Sequence, residues 1–144
     1  MQRCSSAAGA ALQRINTAVA PAGGIDAMPH IVIEGKVQLA KLFADFTPCV
    51  HTLPNGALKL MDAYINQSGC SMLIEAIAAE GGPPNRFFVQ ILQHAQKTTV
   101  KLYPGSDPEK TPGVKKLLAL VARQVLANCP GTSYGSTNLK DYLL

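Results

Sequence analysis

The stretch MPHIVIEGKVQLAKLFADFTP, residues 28–48, decides the fold because its hydrophobic pattern changes in the middle. Its first half holds three consecutive β-branched residues, 31–33, and Gly35 closes the run. β-Branched residues favour strands, and an unbroken apolar run of this kind is typical of a strand buried on both faces. We therefore predict that the first strand of the protein lies here.

The second half of the stretch predicts a helix. Val37, Ala40 and Phe43 recur at intervals of three residues, which places them along one side of a helix. Pro48 is expected to end this helix, because the residue before a proline disfavours the helical conformation. A strand followed by a helix forms a crossover connection. We therefore expect the first strand to lie inside the sheet and parallel to a later strand.

The middle of the chain predicts four more strands, whereas residues 51–57, HTLPNGA, are predicted to be a loop with its turn at Asn55 and Gly56. The predicted strands are 57–67, 71–80, 86–93 and 97–104. The second and third of these flank the turn residues GGPPN, and two apolar runs around such a turn are typical of a hairpin.

The last predicted element is a helix that begins after Thr111. Threonine is a good N-cap residue, and Pro112 suits the first helical position. The helix is expected to end near Asn128, before a proline and a glycine. Its apolar stripe consists of Val114, Leu117, Leu118, Val121 and Val125.

These elements give the order β-α-β-β-β-β-α. This order predicts an α+β, two-layer sandwich in which two helices cover one face of a mixed sheet. The domain is expected to span residues 28–130, with a polar C-terminal tail over 131–144. A small layered protein often leaves one face of its sheet uncovered and buries it against another subunit, so we expect a homo-oligomer.

Composition argues against several classes of partner. The net charge of +4 is mild and the basic residues are scattered, so we do not expect nucleic-acid binding. No apolar run approaches the roughly 20 residues of a membrane-spanning helix, and no membrane association is expected. The four cysteines form no CxxC pair, and no metal site is predicted.

Residues 1–27 differ from the rest of the chain. Alanine dominates this segment, and Arg3 and Arg14 are its only charged residues before Asp26. Basic, hydroxyl-containing and acid-poor composition is typical of organellar transit peptides. We therefore predict a mitochondrial presequence. The alternatives are an ordinary tail on a cytoplasmic protein, or a start codon upstream of a true start at Met28.

Three motifs occur in a fixed order: MPHIVIE (28–34), LFADFTP (42–48) and GALK (56–59). They resemble the tautomerase superfamily, and most closely its 5-carboxymethyl-2-hydroxymuconate isomerase branch. The span 99–126 is similar to that family's final strand, loop and helix. The resemblance implies a homotrimeric isomerase that acts on small 2-oxo or 2-hydroxy unsaturated carboxylates and needs no cofactor.

The resemblance also implies a catalytic residue, Pro29. Once residues 1–28 are removed, its free secondary amine would act as a general base. Burial lowers the pKa of an amine, and a base poised near the working pH can move a proton from one carbon to another. Lys59 is the first candidate to bind the substrate carboxylate, and Arg86 and Lys101 are further candidates.

Two positions leave a second function open. Lys59 stands where the family's strand carries an arginine, and lysine cannot make the two-pronged contact of arginine with a carboxylate. Met61 occupies the place of a second family arginine. The alternative is a non-catalytic organellar protein of the same fold that assembles or binds a partner. Pro29 would then be an ordinary proline in front of a strand.

Overall fold

The computed structural model describes residues 28–106 and 108–143. Within them the chain forms seven strands and two α-helices, followed by a short 3₁₀ turn. The elements are β1 (His30–Glu34), α1 (Leu39–Asp45), β2 (Cys49–Leu53), β3 (Gly56–Ile65), β4 (Ser71–Glu80), β5 (Asn85–His94), β6 (Lys97–Leu102), α2 (Pro112–Asn128), β7 (Ser133–Thr137) and the 3₁₀ turn Lys140–Tyr142.

All the strands belong to one sheet, in the order β2-β3-β4-β5-β6-β1-β7. β1 lies between β6 and β7, so the predicted position of the first strand inside the sheet is confirmed. Every neighbouring pair in the described chain is antiparallel, so the prediction of a mixed sheet is wrong and β1 has no parallel neighbour. After α1 the chain enters the sheet at its far edge and returns strand by strand to β1. A meander of this kind brings β6 beside β1 in the antiparallel direction.

Both helices pack on the same face of the sheet, which confirms the α+β class. One hydrophobic cluster joins Leu39 and Leu42 of α1, the buried stripe of α2 and alternate residues of the five central strands. All five apolar residues predicted for the stripe of α2 are buried. The core of the domain therefore lies between the helices and one face of the sheet.

The start of α2 is fixed to the end of β4. Thr111 is the N-cap, and its hydroxyl accepts a hydrogen bond from the Val114 amide at 3.2 Å. The carboxylate of Glu80 accepts the Gly113 amide at 2.9 Å and the Thr111 hydroxyl. A β-carbon at position 113 would lie 2.5–2.8 Å from the carboxyl atoms of Glu80, so glycine is required for this close approach. A negative charge beside free amides at a helix N-terminus stabilises the helix.

Two strands were not predicted. β2 takes residues 51–53 of the expected loop over 51–57 and β3 takes 56 and 57, so only a turn at 54 and 55 remains of that loop. The residues of β2 pair with the start of β3, and the connection is the two-residue turn Pro54–Asn55. Prolines flank β2 on both sides, and this loop-like composition concealed a strand of five residues. The second strand, β7, lies in the segment after α2 and pairs with the outer edge of β1.

Candidate functional site

Among the residues that the structure describes, no helix covers the second face of the sheet. Side chains of a strand alternate between the two faces, so the strand registers define which residues lie here. They are His30 and Val32 on β1, Ala57, Lys59 and Tyr64 on β3, Ser71, Leu73, Glu75, Ile77 and Ala79 on β4, Arg86, Phe88, Gln90 and Leu92 on β5, and Thr99, Lys101 and Tyr103 on or just after β6. We call this set the uncovered face.

Three aromatic rings form a row across the uncovered face. The ring centroid of Phe88 lies 6.3 Å from that of Tyr64 and 6.4 Å from that of Tyr103, and both contacts are edge-to-face. Tyr64 is 50% exposed and Tyr103 is 36% exposed, so both ends of the row are open to solvent. Leu73 and Ile77 are the diagonal neighbours of Phe88 on β4. A largely apolar strip therefore crosses the middle of this face.

Cationic side chains lie around this strip. Nη1 of Arg86 lies 3.9 Å from Oε2 of Glu75, and the Arg86 side chain is 69% exposed. Lys59 is exposed in the same row across the sheet, since Ile77 pairs with both Lys59 and Arg86. An exposed ion pair at this distance stabilises a protein little. Both cations are therefore accessible to a partner.

Lys101 is the cation nearest the middle of the uncovered face. Its register partners are His30 on β1 and Gln90 on β5, and the Gln90 amide donates to the Ser71 hydroxyl at 3.0 Å. Lys101 is half-buried. Burial lowers the pKa of its amine, because the charged form loses part of its hydration. A carboxylate supplied by a partner would stabilise the ammonium at this position.

Pro29 immediately precedes β1 and is buried. The carbonyl oxygen of Met28 accepts hydrogen bonds from Nδ1 of His30 and Nδ2 of Asn138, both at 3.1 Å. The side-chain oxygen of Asn138 accepts the His30 amide at 3.0 Å. In the intact chain the nitrogen of Pro29 belongs to an amide and is not basic. In the intact chain the Met28 carbonyl helps to fix the beginning of β1 through the two hydrogen bonds that it accepts.

The four residues predicted to form a site do not converge on one point. Lys59 and Arg86 are separated by β4, which puts their backbones about 10 Å apart at the usual strand spacing. Lys101 lies one strand and four residues from Arg86, or about 14 Å. Pro29 adjoins His30, the partner of Lys101, but Pro29 is buried whereas Lys101 belongs to the uncovered face. The fold therefore brings the three cations to one face, and Lys101 is the only one of them that lies near Pro29.

A shallow, open depression of about 490 Å³ lies where β2 begins, beside the middle of β3. Lys59, Met61 and Asp62 line it from β3, and Cys49 lines it from β2. Burial raises the pKa of the Cys49 thiol, although a backbone hydrogen bond with Leu60 acts in the opposite direction. A thiol in such surroundings is not an activated nucleophile. We therefore assign no covalent chemistry to this depression.

Two further features are absent from the part of the chain that the structure describes. No three His, Cys, Asp or Glu residues lie together there as metal ligands would. Within the same ranges, 28–106 and 108–143, no helix is long and apolar enough to cross a membrane.

No protein-family model matches the chain, and comparisons with curated proteins and with solved structures gave no significant match. The uncovered face and the surroundings of Pro29 are therefore interpreted from their own chemistry.

Sequence reasoning missed the aromatic row as a candidate site. The signal that could have found it is the pattern of β4, where Leu73 and Ile77 alternate with the buried Met72 and Ile74. A strand that is apolar on both faces is typical of a sheet with both faces covered. In a sheet whose helices all lie on one face, such a strand predicts that another surface covers the opposite face.

Proposed function

We propose that this protein is a non-catalytic assembly protein that works by binding another protein surface through the uncovered face. The observation that carries this proposal is the open row of Tyr64, Phe88 and Tyr103, with Leu73 and Ile77 beside it. Contiguous exposed apolar patches mark surfaces that bind other molecules. Aromatic residues and arginine are enriched in protein contacts, and arginine is available here at Arg86.

The distribution of charge supports a protein partner rather than nucleic acid. A nucleic-acid surface clusters positive charge, whereas here Glu75 lies opposite Phe88 in the register and within 3.9 Å of Arg86. An apolar protein surface is the better complement to this face.

Hydroxyl-radical labelling of the full chain, read by mass spectrometry, tests the proposal. The rings of Tyr64, Phe88 and Tyr103 should be oxidised more slowly at high protein concentration or in a concentrated cell extract than in dilute solution. Phe43 on α1 is the matched control, since it is 36% exposed, as is Tyr103. Its rate should not change. If each of the three rings is oxidised at the same rate in dilute solution, at high protein concentration and in extract, no protein surface covers this face and the proposal is refuted.

A second candidate function is the isomerase that the resemblance implies, and the burial of Pro29 favours it. If residues 1–28 were removed, the amine of Pro29 would lie in a desolvated position, which lowers the pKa of an amine toward the neutral range. Such a group can act as a general base. Lys101, on the strand beside β1, would be the nearest of the candidate cations for a substrate carboxylate.

The N-terminus of the mature protein tests this second candidate, together with the predicted mitochondrial location. The isomerase hypothesis expects a mature chain that starts at Pro29 and converts phenylenolpyruvate between its enol and keto forms. Pro29→Ala should slow this conversion by about 100-fold or more, the usual contribution of a general base. Pro112→Ala, at the start of α2, is a control that should leave the rate unchanged. A terminus upstream of Met28, or equal rates for the mature protein and its Pro29→Ala variant, would leave only the binding function.

A further inference from the structure

We infer that a second copy of this chain occupies the uncovered face, packed face to face with the first about a twofold axis. The inference rests on the proposed function, because it names the partner of the same surface. Twofold pairs are the commonest soluble assemblies, and each subunit uses the same patch in them. A patch that is apolar in its middle and carries charges of both signs suits such a pair, because opposite charges can then meet across the axis. The uncovered face meets both conditions, with Phe88 in the middle and Glu75 and Lys101 on strands to either side of it.

The extent of the uncovered face fits a stable pair. It takes residues from five neighbouring strands, β1 and β3 to β6. With the rim positions Glu34, Val50, His94 and Lys97 it offers roughly 20 residues, and specific interfaces use about 20–30 residues and about 800 Å² on each side. Sheets that pack face to face do so at a separation of about 10 Å, with their side chains interdigitated. One second copy can therefore cover the apolar strip without a helix or a further chain.

The strand order indicates where the axis lies. An axis that runs along β5, in the plane between the two sheets, places Phe88 and Leu92 of one copy against the same residues of the other. It also places β4 of each copy over β6 of its partner, because these strands flank β5. Sheets packed in this way keep their strands within about 30° of one another.

This axis pairs opposite charges between the copies. Glu75 on β4 is level with Phe88, and Lys101 on β6 is level with Gln90, two residues further along β5. Glu75 of one copy therefore lies about 7 Å along the strand direction from Lys101 of the other, a distance that two long side chains can span. The twofold axis forms this pair twice. Half-buried Lys101 gains a carboxylate that its own register partners, His30 and Gln90, do not supply.

Sedimentation velocity of the full chain over a wide range of concentration tests the inference. The wild-type protein should sediment as a dimer, which also distinguishes this pair from the trimer that the resemblance implies. Leu73→Asp and Phe88→Asp should each give a monomer with an unchanged far-ultraviolet circular dichroism spectrum, because an unpaired carboxylate would enter the apolar contact. The matched control is Phe43→Asp on α1, at an exposed position away from the uncovered face. This control variant should remain dimeric.

Charge reversal tests the proposed axis. Glu75→Lys and Lys101→Glu should each weaken the dimer about tenfold or more, since each places like charges together across the contact. The double variant should recover most of the affinity. Residues that only maintain the fold of the monomer would not give this rescue.

The remaining outcomes separate the two proposals. If the protein stays monomeric but its three rings are still protected in extract, the inference of a second copy is overturned. The proposed function then stands with a different protein as the partner. A monomer with unprotected rings would overturn both. A dimer that tolerates Leu73→Asp and Phe88→Asp would show that the copies meet elsewhere and would overturn the inference. Oligonucleotide binding with a steep salt dependence, lost in Phe88→Asp, would overturn both proposals in favour of nucleic acid.

Discussion

At the residue scale, a single polar atom in the core limits stability. Thr98 on β6 is fully buried, and its Oγ1 is the one buried side-chain polar atom in the described ranges that has no hydrogen-bond partner. A hydroxyl buried without a partner costs about 1–3 kcal/mol. Valine has the same branched shape and is well suited to strands. The core therefore carries an unfavourable group that one substitution can remove.

Thr98→Val should raise the free energy of unfolding by about 1 kcal/mol, because the methyl group that replaces the hydroxyl has no desolvation cost. Chemical denaturation at neutral pH measures the change. Thr99→Val is the matched control, since its side chain lies on the uncovered face and is half-buried. The control should alter stability by no more than about 0.5 kcal/mol. A Thr98→Val protein that is less stable than wild type would show that the hydroxyl finds a partner in solution.

At the element scale, the junction of β4 with α2 depends on the close approach of Glu80 to Gly113. Alanine normally favours a helix over glycine by about 1 kcal/mol. At position 113, however, its β-carbon would displace the carboxylate that accepts the Gly113 amide and the Thr111 hydroxyl. Gly113→Ala should therefore destabilise the protein by about 1 kcal/mol, the typical value of a lost cap.

A double-mutant cycle separates the lost cap from a simple change in helix propensity. In an E80A background the obstruction is absent, so Gly113→Ala should become neutral or stabilising there. Thermal and chemical unfolding of the four proteins measure the coupling. Equal effects of Gly113→Ala with and without Glu80 would contradict the role assigned to this carboxylate.

The elements also show what the sequence could predict. The β4–β5 hairpin and the stripe of α2 were predicted correctly because turn residues, cap and periodicity all lie within a few positions of one another. The direction of the strands beside β1 depends on contacts with β6 and β7, which are distant in the chain, and the prediction was wrong. β2 was missed because Pro48 and Pro54 flank it and are typical of loops.

The candidate site was likewise predictable from the sequence only in part. Lys59 was selected by its place in the family resemblance and Arg86 and Lys101 as further cations. The registers of β3, β5 and β6 place all three on one face. The row of Tyr64, Phe88 and Tyr103 could not be predicted, because it forms only when three separate strands take these registers. The role of Pro29 stays a prediction, since it depends on where the mature chain begins.

At the scale of the whole molecule, Lys101 should oppose folding of the single chain and favour the pair. Burial holds the pKa of its amine in the folded chain below the ordinary value of 10.5. Between these two pKa values the unfolded chain binds more protons than the folded chain, so the contribution of Lys101 to stability rises with pH. Below the folded pKa the cost of burying the charge is present in full. In the pair, Glu75 of the other copy offsets that cost.

Lys101→Met should therefore have opposite effects on the two states. In dilute solution it should raise the free energy of unfolding at neutral pH, and its advantage over wild type should shrink as the pH approaches 10.5. In sedimentation it should weaken the dimer, because Glu75 of the other copy would lose its partner. Lys41→Met, at an exposed position on α1 and away from the uncovered face, should change neither quantity. A Lys101→Met protein that loses stability in dilute solution would mean that the lysine stabilises the single chain, and the opposition between folding and pairing would be refuted.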